Sequence, residues 1–496
     1  MTMPRRDTPR RDTPRRATTS RGMNPLGTGR EALGARAAPL SRRRFLQAAA
    51  AGATLPLIAS CGSAPVASDA PNVLLVMSDA HRANVLGCYG DTQVRTPHFD
   101  AFAAQGARFE LALSNTPMCR PYRASLMTGC FAHHTGMVTN RSDLNPGVDA
   151  NGQWTPGGLP TLGAAFADAG YACGYVGKWH LGSASVDPGP LRFGFNDSWS
   201  AATSPTHTYD SWVYATGADH LVEGSGRFRP AMEVDLLLDF ARAPREQPFF
   251  GVLSWGPPHA PFEPPADFRR DEFVQPPPNI ERTAEYPLES VLQALTGYYG
   301  LVEAIDHEFG RLLKALDEAG LARNTIVIYT SDHGAQLGSH GVMGKVRPLR
   351  ESLEVPFLVR WPEGIAPGTL IDTPFGAPDV FPTLAGLAGL PAPRGIDGDD
   401  FSPSLRGTSG APTREAAYVA SHIPIYMERP GWRGLRTRTH SFVRTKEGPS
   451  TLFEVASDPY ELNNLVHARP ELVAQLDAQF ESLMQTHGDA WRVPKR

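Results

Sequence analysis

Four apolar runs of strand length recur along the chain, and each hands over to polar or charged residues. Val73-Leu74-Leu75-Val76-Met77 ends at Ser78-Asp79, and Thr325-Ile326-Val327-Ile328-Tyr329 ends at Ser331-Asp332-His333. Phe249-Phe250-Gly251-Val252-Leu253 ends near His259, and Ala172-Cys173-Gly174-Tyr175-Val176 ends at Lys178. An unbroken apolar run has no solvent face, so it suits a strand covered on both sides. Helical patterns lie between the runs, at Pro160 to Ala169 and Val291 to Ala319. The expectation is an α/β fold with a large mixed sheet sandwiched by helices. In such sheets ligands gather at the carboxyl ends of the strands.

This domain is expected over residues 71–405. A stretch rich in Ser, Gly and Pro around residues 400–414 marks a boundary. Residues 412–496 then read as a small C-terminal α+β subdomain. Ala417-Tyr418-Val419, the Gly434–Val443 stretch and Thr451-Leu452-Phe453 have the pattern of short antiparallel strands. An amphipathic helix from Glu471 to Gln485 would cover them.

Charge divides the chain differently. Residues 1–60 hold 12 Arg against three acidic residues, a balance of +9, so the remainder carries −13 of the net −4. An acidic body argues against nucleic-acid binding, which needs clustered cations, but leaves room for a local cationic pocket. Ser41-Arg42-Arg43-Arg44-Phe45-Leu46 precedes a short apolar stretch, Ala48 to Ile58. That stretch is too short to span a bilayer, and with its paired arginines it reads as a twin-arginine-type export signal. Ile58-Ala59-Ser60-Cys61-Gly62 resembles a lipobox, which predicts a lipid anchor at Cys61. Residues 1–61 are therefore a leader, and the mature protein is expected to be periplasmic or a membrane-anchored lipoprotein. The five cysteines form no close pair, so neither a zinc ribbon nor a dense disulfide framework is indicated.

The polar strand ends share one chemical theme. Asp79, Asp332 and His333 supply metal-ligand types, Lys178, Lys345 and Arg123 supply cations, and His180 and His259 can move protons. A hard cation and Lys/Arg groups around a tetrahedral oxyanion suit hydrolysis of a sulfuryl or phosphoryl ester.

Cys119-Arg120-Pro121-Tyr122-Arg123-Ala124-Ser125-Leu126-Met127-Thr128-Gly129 matches Cys-x-Pro-x-Arg followed by Leu-x-Thr-Gly. With it come Gly177-Lys178-Trp179-His180-Leu181-Gly182, Pro257-Pro258-His259-Ala260-Pro261-Phe262, Ser331-Asp332-His333-Gly334, Gly344-Lys345 and Asp458-Pro459-Tyr460-Glu461-Leu462-Asn463-Asn464-Leu465. In these motifs, spread over residues 71–470, the chain resembles the formylglycine-dependent sulfatases of the alkaline phosphatase superfamily. The resemblance implies that a formylglycine-generating enzyme oxidises Cys119 to formylglycine. One hydroxyl of its hydrate attacks sulfur and the other later releases sulfate. It implies further that Arg123 stabilises the modified residue and that Asp79, Asp332, His333 and modified Cys119 bind Ca2+. Lys178 and Lys345 would hold sulfate oxygens. His259 would protonate the leaving group, and His180 would assist the nucleophile or its release. The implied substrate is a small-molecule or oligosaccharide sulfate ester: a sulfated carbohydrate or an aryl sulfate.

Two other readings stay open. Relatives with the same modified cysteine cleave phosphonate monoesters or phosphodiesters, and a degenerate site could leave a non-catalytic surface lipoprotein that binds sulfated glycans. A cysteine phosphatase is disfavoured, because Cys-x5-Arg would need Arg at position 125, which is Ser. The chain also departs from its pattern. Ala80 follows Asp79 where relatives carry a second acidic or amide residue, so one ligand is expected to be missing or replaced. Arg120 and Tyr122 are larger than usual and are expected to shape the pocket. His133, His134 and His340 lie near motifs and are assigned loop or core roles. Specificity is assigned to loops such as Pro188–Arg229 and Pro264–Pro287.

Overall fold

The structure is a computed structural model. It describes residues 70–491 apart from 142–143, 145, 149–153, 157, 183–191, 203–212, 216–220, 223–225, 392 and 423–430. The leader, Cys61 and most of the Pro188–Arg229 loop thus lie outside the described residues. Among those described, no helix is long and apolar enough to cross a membrane.

All four apolar runs are strands of one ten-stranded mixed sheet. Its centre is parallel. Asn72–Asp79 lies between Thr325–Ser331 and Phe249–Pro258, and Ala172–Lys178 and Ser198–Ala202 follow beyond the latter. Antiparallel strands begin with Phe357–Arg360 on one side and Val213–Ala215 on the other.

The side chains of Asn72–Asp79 explain its continuous hydrophobicity. Val73, Leu75 and Met77 join a core with Leu126 and Met127 of the helix Cys119–Thr128 and with Val380, Phe381 and Leu384 of the helix Ala377–Leu387. Leu74 and Val76 face the opposite core, with Val302, Ile305 and Phe309 of the 31-residue helix Leu288–Glu318. Each fully buried side chain of this type contributes about 1.5–3 kcal/mol. The sheet is therefore a rigid platform, and its parallel strands all present their carboxyl ends on one edge.

A separate four-stranded antiparallel sheet follows: Ala416–Ser421, Trp432–Thr437, His440–Thr445 and Gly448–Glu454. The Gly434–Val443 stretch is thus two strands of a hairpin rather than one. The helix Pro470–Thr486 covers this sheet through Leu476, Phe480 and Met484.

Candidate active site

Four side-by-side strand ends build the site. Asp79 closes its strand, Lys178 closes the Ala172–Lys178 strand, and Asp332 and His333 follow Ser331 directly. His259 follows Pro258, between the cis bonds Pro257-Pro258 and Ala260-Pro261. Gly177 is dictated by its surroundings: its φ is +102°, and an added Cβ would lie 2.1 Å from the Ser254 carbonyl oxygen. Only glycine permits that approach, which carries Lys178 into the cluster.

Cys119 opens the buried helix beneath these ends and is 2 % exposed. Lys345 Nζ donates to its Sγ at 3.0 Å, and His333 Nε2 lies 3.2 Å away. His180 has left-handed backbone at φ 55°; burial lowers its imidazole pKa against a hydrogen bond to Cys119, and its Nδ1 is buried without a partner among the described residues. In a formylglycine enzyme this sulfur stands in for a hydroxyl oxygen of the hydrated aldehyde.

Arg123, 1 % exposed, clamps the two carboxylates. Its guanidinium meets Asp332 Oδ2 at 3.1 Å and Asp79 Oδ2 at 3.4 Å, and donates to Ser254 Oγ at 2.7 Å and the Lys178 carbonyl at 3.0 Å. Lys178 Nζ pairs with Asp79 Oδ2. Two carboxylates thus face three cations, which leaves the site positive before any metal is counted. Burial favours neutral Asp79, yet Lys178, His259, Lys345 and His333 hold its pKa well below the usual carboxylate range. Burial and then Asp79 push Asp332 up to about 6, against His333 and Arg123. Burial also opposes the Lys345 charge, but Cys119, Asp79 and Asp332 raise its pKa. His259 is pulled down to about 4 by burial, with Asp79 opposing.

The donor set fits a metal ion. Asp79 Oδ1 is buried and has no hydrogen-bond partner among the described residues, an expensive state unless something binds it. One donor atom each from Asp79, Cys119, Asp332 and His333 lie within 4.8 Å of one another. His333 Nε2 is 3.8 Å from Asp79 Oδ1 and 3.6 Å from Asp332 Oδ1. Ligands about 2.4 Å from one ion and near right angles to it would be separated by about 3.4 Å. His333 Nδ1 bonds the Gly334 carbonyl at 2.8 Å, which leaves Nε2 to the site.

The three departures from the family pattern find their places in the structure. Ala80 supplies no ligand atom: its methyl is buried in the apolar core on the helix Leu288–Glu318 side. Its backbone is left-handed at φ 67°, and its N–H donates to Asp332 Oδ1 at 3.1 Å, so it orients a carboxylate. Tyr122 shapes no pocket; it is 2 % exposed within the core. Arg120 is half-buried, with its guanidinium against the Gly182 carbonyl at 3.4 Å. The sequence reading missed Ser254, hidden in a strand pattern, and Asn140, whose Nδ2 lies 3.9 Å from Sγ.

A second cluster brings together His133, His422 and Asp489. Arg433 already donates to Asp489 Oδ2 at 2.6 Å and to His422 Nδ1 at 2.8 Å, so a cation fills that position. His134 bonds Asp397 at 2.7 Å, and His340 bonds the Tyr460 carbonyl at 3.1 Å. These histidines serve packing contacts.

Residues 71–390 match the sulfatase family model, and residues 338–486 match the C-terminal model of N-sulphoglucosamine sulphohydrolase. The chain is 34 % identical to an ulvan-active sulfatase of Formosa agariphila over 85 % of this chain and 82 % of that one. It is 28 % identical to an endo-4-O-sulfatase of Bacteroides thetaiotaomicron over 86 % and 94 % of the two chains. A solved structure in complex with its substrate D-glucosamine-2-N,6-O-disulfate shares the fold with a TM-score of 0.75, at 23 % identity over 86 % of this chain and 100 % of that one. Site geometry and relatives agree: the chain belongs to the sulfatase family and is a sulfuric ester hydrolase.

Proposed function

We propose that this sulfatase releases sulfate from sulfated carbohydrates at a formylglycine derived from Cys119, with Ca2+ held by Asp79, Asp332, His333 and the modified Cys119. One observation carries the reading: Cys119 Sγ sits where Lys345 and His333 converge, beside a carboxylate pair with an unclaimed buried oxygen. The aldehyde hydrate supplies the hydroxyl that attacks sulfur and a second one whose deprotonation frees sulfate, while the metal supplies a fixed positive charge.

The chain's own residues do the rest. Lys345, and Lys178 once it shares its charge with Asp79, hold sulfate oxygens as negative charge shifts in the transition state. Arg123 fixes both carboxylates through its guanidinium and opposes the rise of the Asp332 pKa. His259 faces the leaving-group side; its low pKa makes it neutral in the free enzyme, and the bound sulfate's charge restores its proton affinity. His180 lies against Cys119 and takes the proton of the hydroxyl that expels sulfate. A carbohydrate substrate is supported by the ulvan-active relative and by the sulfated glucosamine in the related structure.

For location, we keep the leader's reading: twin-arginine-type export, with a lipid anchor at Cys61. The burial of Cys119 supports modification first, then folding, then export, since a residue 2 % exposed in the folded chain is out of reach of a modifying enzyme. A screen of sulfated oligosaccharides and aryl sulfates, with Cys119→Ala as the blank, tests the activity. Sulfate release from a sulfated sugar supports the reading; faster cleavage of an aryl phosphonate than of an aryl sulfate overturns it.

A further inference from the structure

Asn140 is a half-buried residue at a position that no motif marked. Its carboxamide bridges two groups. Oδ1 accepts from the Arg120 backbone N–H at 3.1 Å, and Nδ2 points to Cys119 Sγ at 3.9 Å. The first contact fixes the second. A backbone N–H can only donate, so the amide oxygen must face Arg120, and the NH2 group must face the sulfur.

The helix Cys119–Thr128 also needs such a partner. Its N-cap residue is Met118, which makes no side-chain cap, so the first N–H groups lack the usual local acceptor. Asn140 supplies that acceptor from a distant segment. In doing so it ties the nucleophile's helix to a donor aimed at the nucleophile.

We propose that Asn140 is a further catalytic residue, whose Nδ2 donates to an oxygen of the hydrated formylglycine at position 119. This rests on the formylglycine reading above. Among the described residues, Sγ also has His333, Lys345 and His180 around it, with the Asp79 and Asp332 carboxylates beyond. His333 is committed to the carboxylate cluster and Lys345 to substrate oxygens. Asn140 is a neutral donor that does not compete for the metal. Its hydrogen bond stabilises the hydrate over the free aldehyde and turns the attacking oxygen's remaining lone pair toward sulfur. No proton changes hands at Asn140, and no bond is made or broken there.

Asn140→Asp separates this role from capping. The carboxylate still accepts from Arg120, and a negative charge at a helix N-terminus is favourable, so the fold is retained. The donor toward position 119 is lost. Asn140→Leu loses both contacts without adding charge. Formylglycine content is measured by peptide mass spectrometry, and each protein is assayed for kcat, KM, Tm and the rate at which a hydrazide probe labels the aldehyde. Expected for both variants is a fall in kcat of about 100-fold, the scale of losing one preorganised donor, with KM little changed. Hydrazide labelling should quicken several-fold in both, as the hydrate loses its support. Tm should drop only in Asn140→Leu.

Asn140→Asp at near wild-type kcat, with only Tm lowered in Asn140→Leu, would reduce the residue to a cap and overturn the proposal. So would a rate loss confined to Asn140→Asp, which would trace to its charge. Wild-type protein without formylglycine would overturn the underlying reading together with this one; modified, active wild type beside an active Asn140→Asp overturns this one alone.

Discussion

Two buried clusters of charge use the same residue types and differ in what they leave unpaired. Around the C-terminal sheet, Arg436 pairs with Glu354 and with Glu461 at 3.3 Å, and Arg433 pairs with Asp489 at 2.6 Å. These guanidinium groups face carboxylates whose oxygens are all paired, and the one atom these groups leave over among the described residues is a donor, Arg436 Nε. At the edge of the ten-stranded sheet, Arg123 and Lys178 also meet carboxylates, yet Asp79 Oδ1 is left over, and Lys345 is turned to Cys119 instead of an acid. A closed ion-pair network stabilises one conformation. An open one has valences for a metal and an anion. Burial and charge therefore do not mark the active site by themselves; a leftover carboxylate oxygen beside a lysine turned to a cysteine does.

The comparison breaks most sharply at Cys119. Cys119→Ala should reduce sulfate release to the blank while Tm stays within a few degrees, because the open cluster holds chemistry rather than the fold. The mirror experiment is Arg436→Ala. Removing one partner of a buried ion pair costs about 3–5 kcal/mol, so denaturant midpoints should fall strongly, while kcat per folded molecule stays the same. Equal loss of activity and stability in both variants would erase the distinction.

His259→Ala should have a smaller effect that depends on substrate. A general acid contributes roughly 10²–10⁴-fold where the leaving group needs a proton, so alkyl sulfates should suffer far more than nitrophenyl sulfate. Because burial holds the free imidazole near about 4, that dependence should appear as alkyl sulfate rates declining with rising pH, with aryl rates flatter. Equal losses on both substrates would remove His259 from the acid role.

The smallest effect concerns the metal. Asp332 rises to about 6 in the metal-free site through burial and the Asp79 charge, so its folded pKa lies above the unfolded value. Its neutral form therefore favours folding below the unfolded pKa, and that contribution is lost as pH rises through about 6. A metal needs the ionised carboxylate, so Ca2+ should raise Tm more at pH 7 than at pH 5, approaching about 2.7 kcal/mol at a hundredfold excess over Kd. A Ca2+ effect independent of pH would exclude Asp332 as a ligand.

Much of this was legible in the sequence. The double-sided apolar runs became the central strands, and their polar ends became the site, because a parallel sheet orders its strand termini on one edge. The helix that carries Cys119 was harder to read. Nine of its ten residues are buried, so no polar face told Tyr122, which packs in the core, from residues at the site. Ala80 supplies no ligand side chain, but spacing could not show that its left-handed backbone turns the methyl into the core and its N–H toward Asp332. Asn140 and Ser254 gave no signal, since each acts through a contact distant in sequence.

The central claim is that hydrolysis runs through a modified Cys119. Preparations with graded formylglycine content, made by varying co-production of the modifying enzyme, give the most direct measurement. Sulfate release per mole of protein should rise linearly with the formylglycine fraction at position 119 and pass through the origin. Undiminished sulfate release from protein that carries only the unmodified Cys119 thiol would contradict the account.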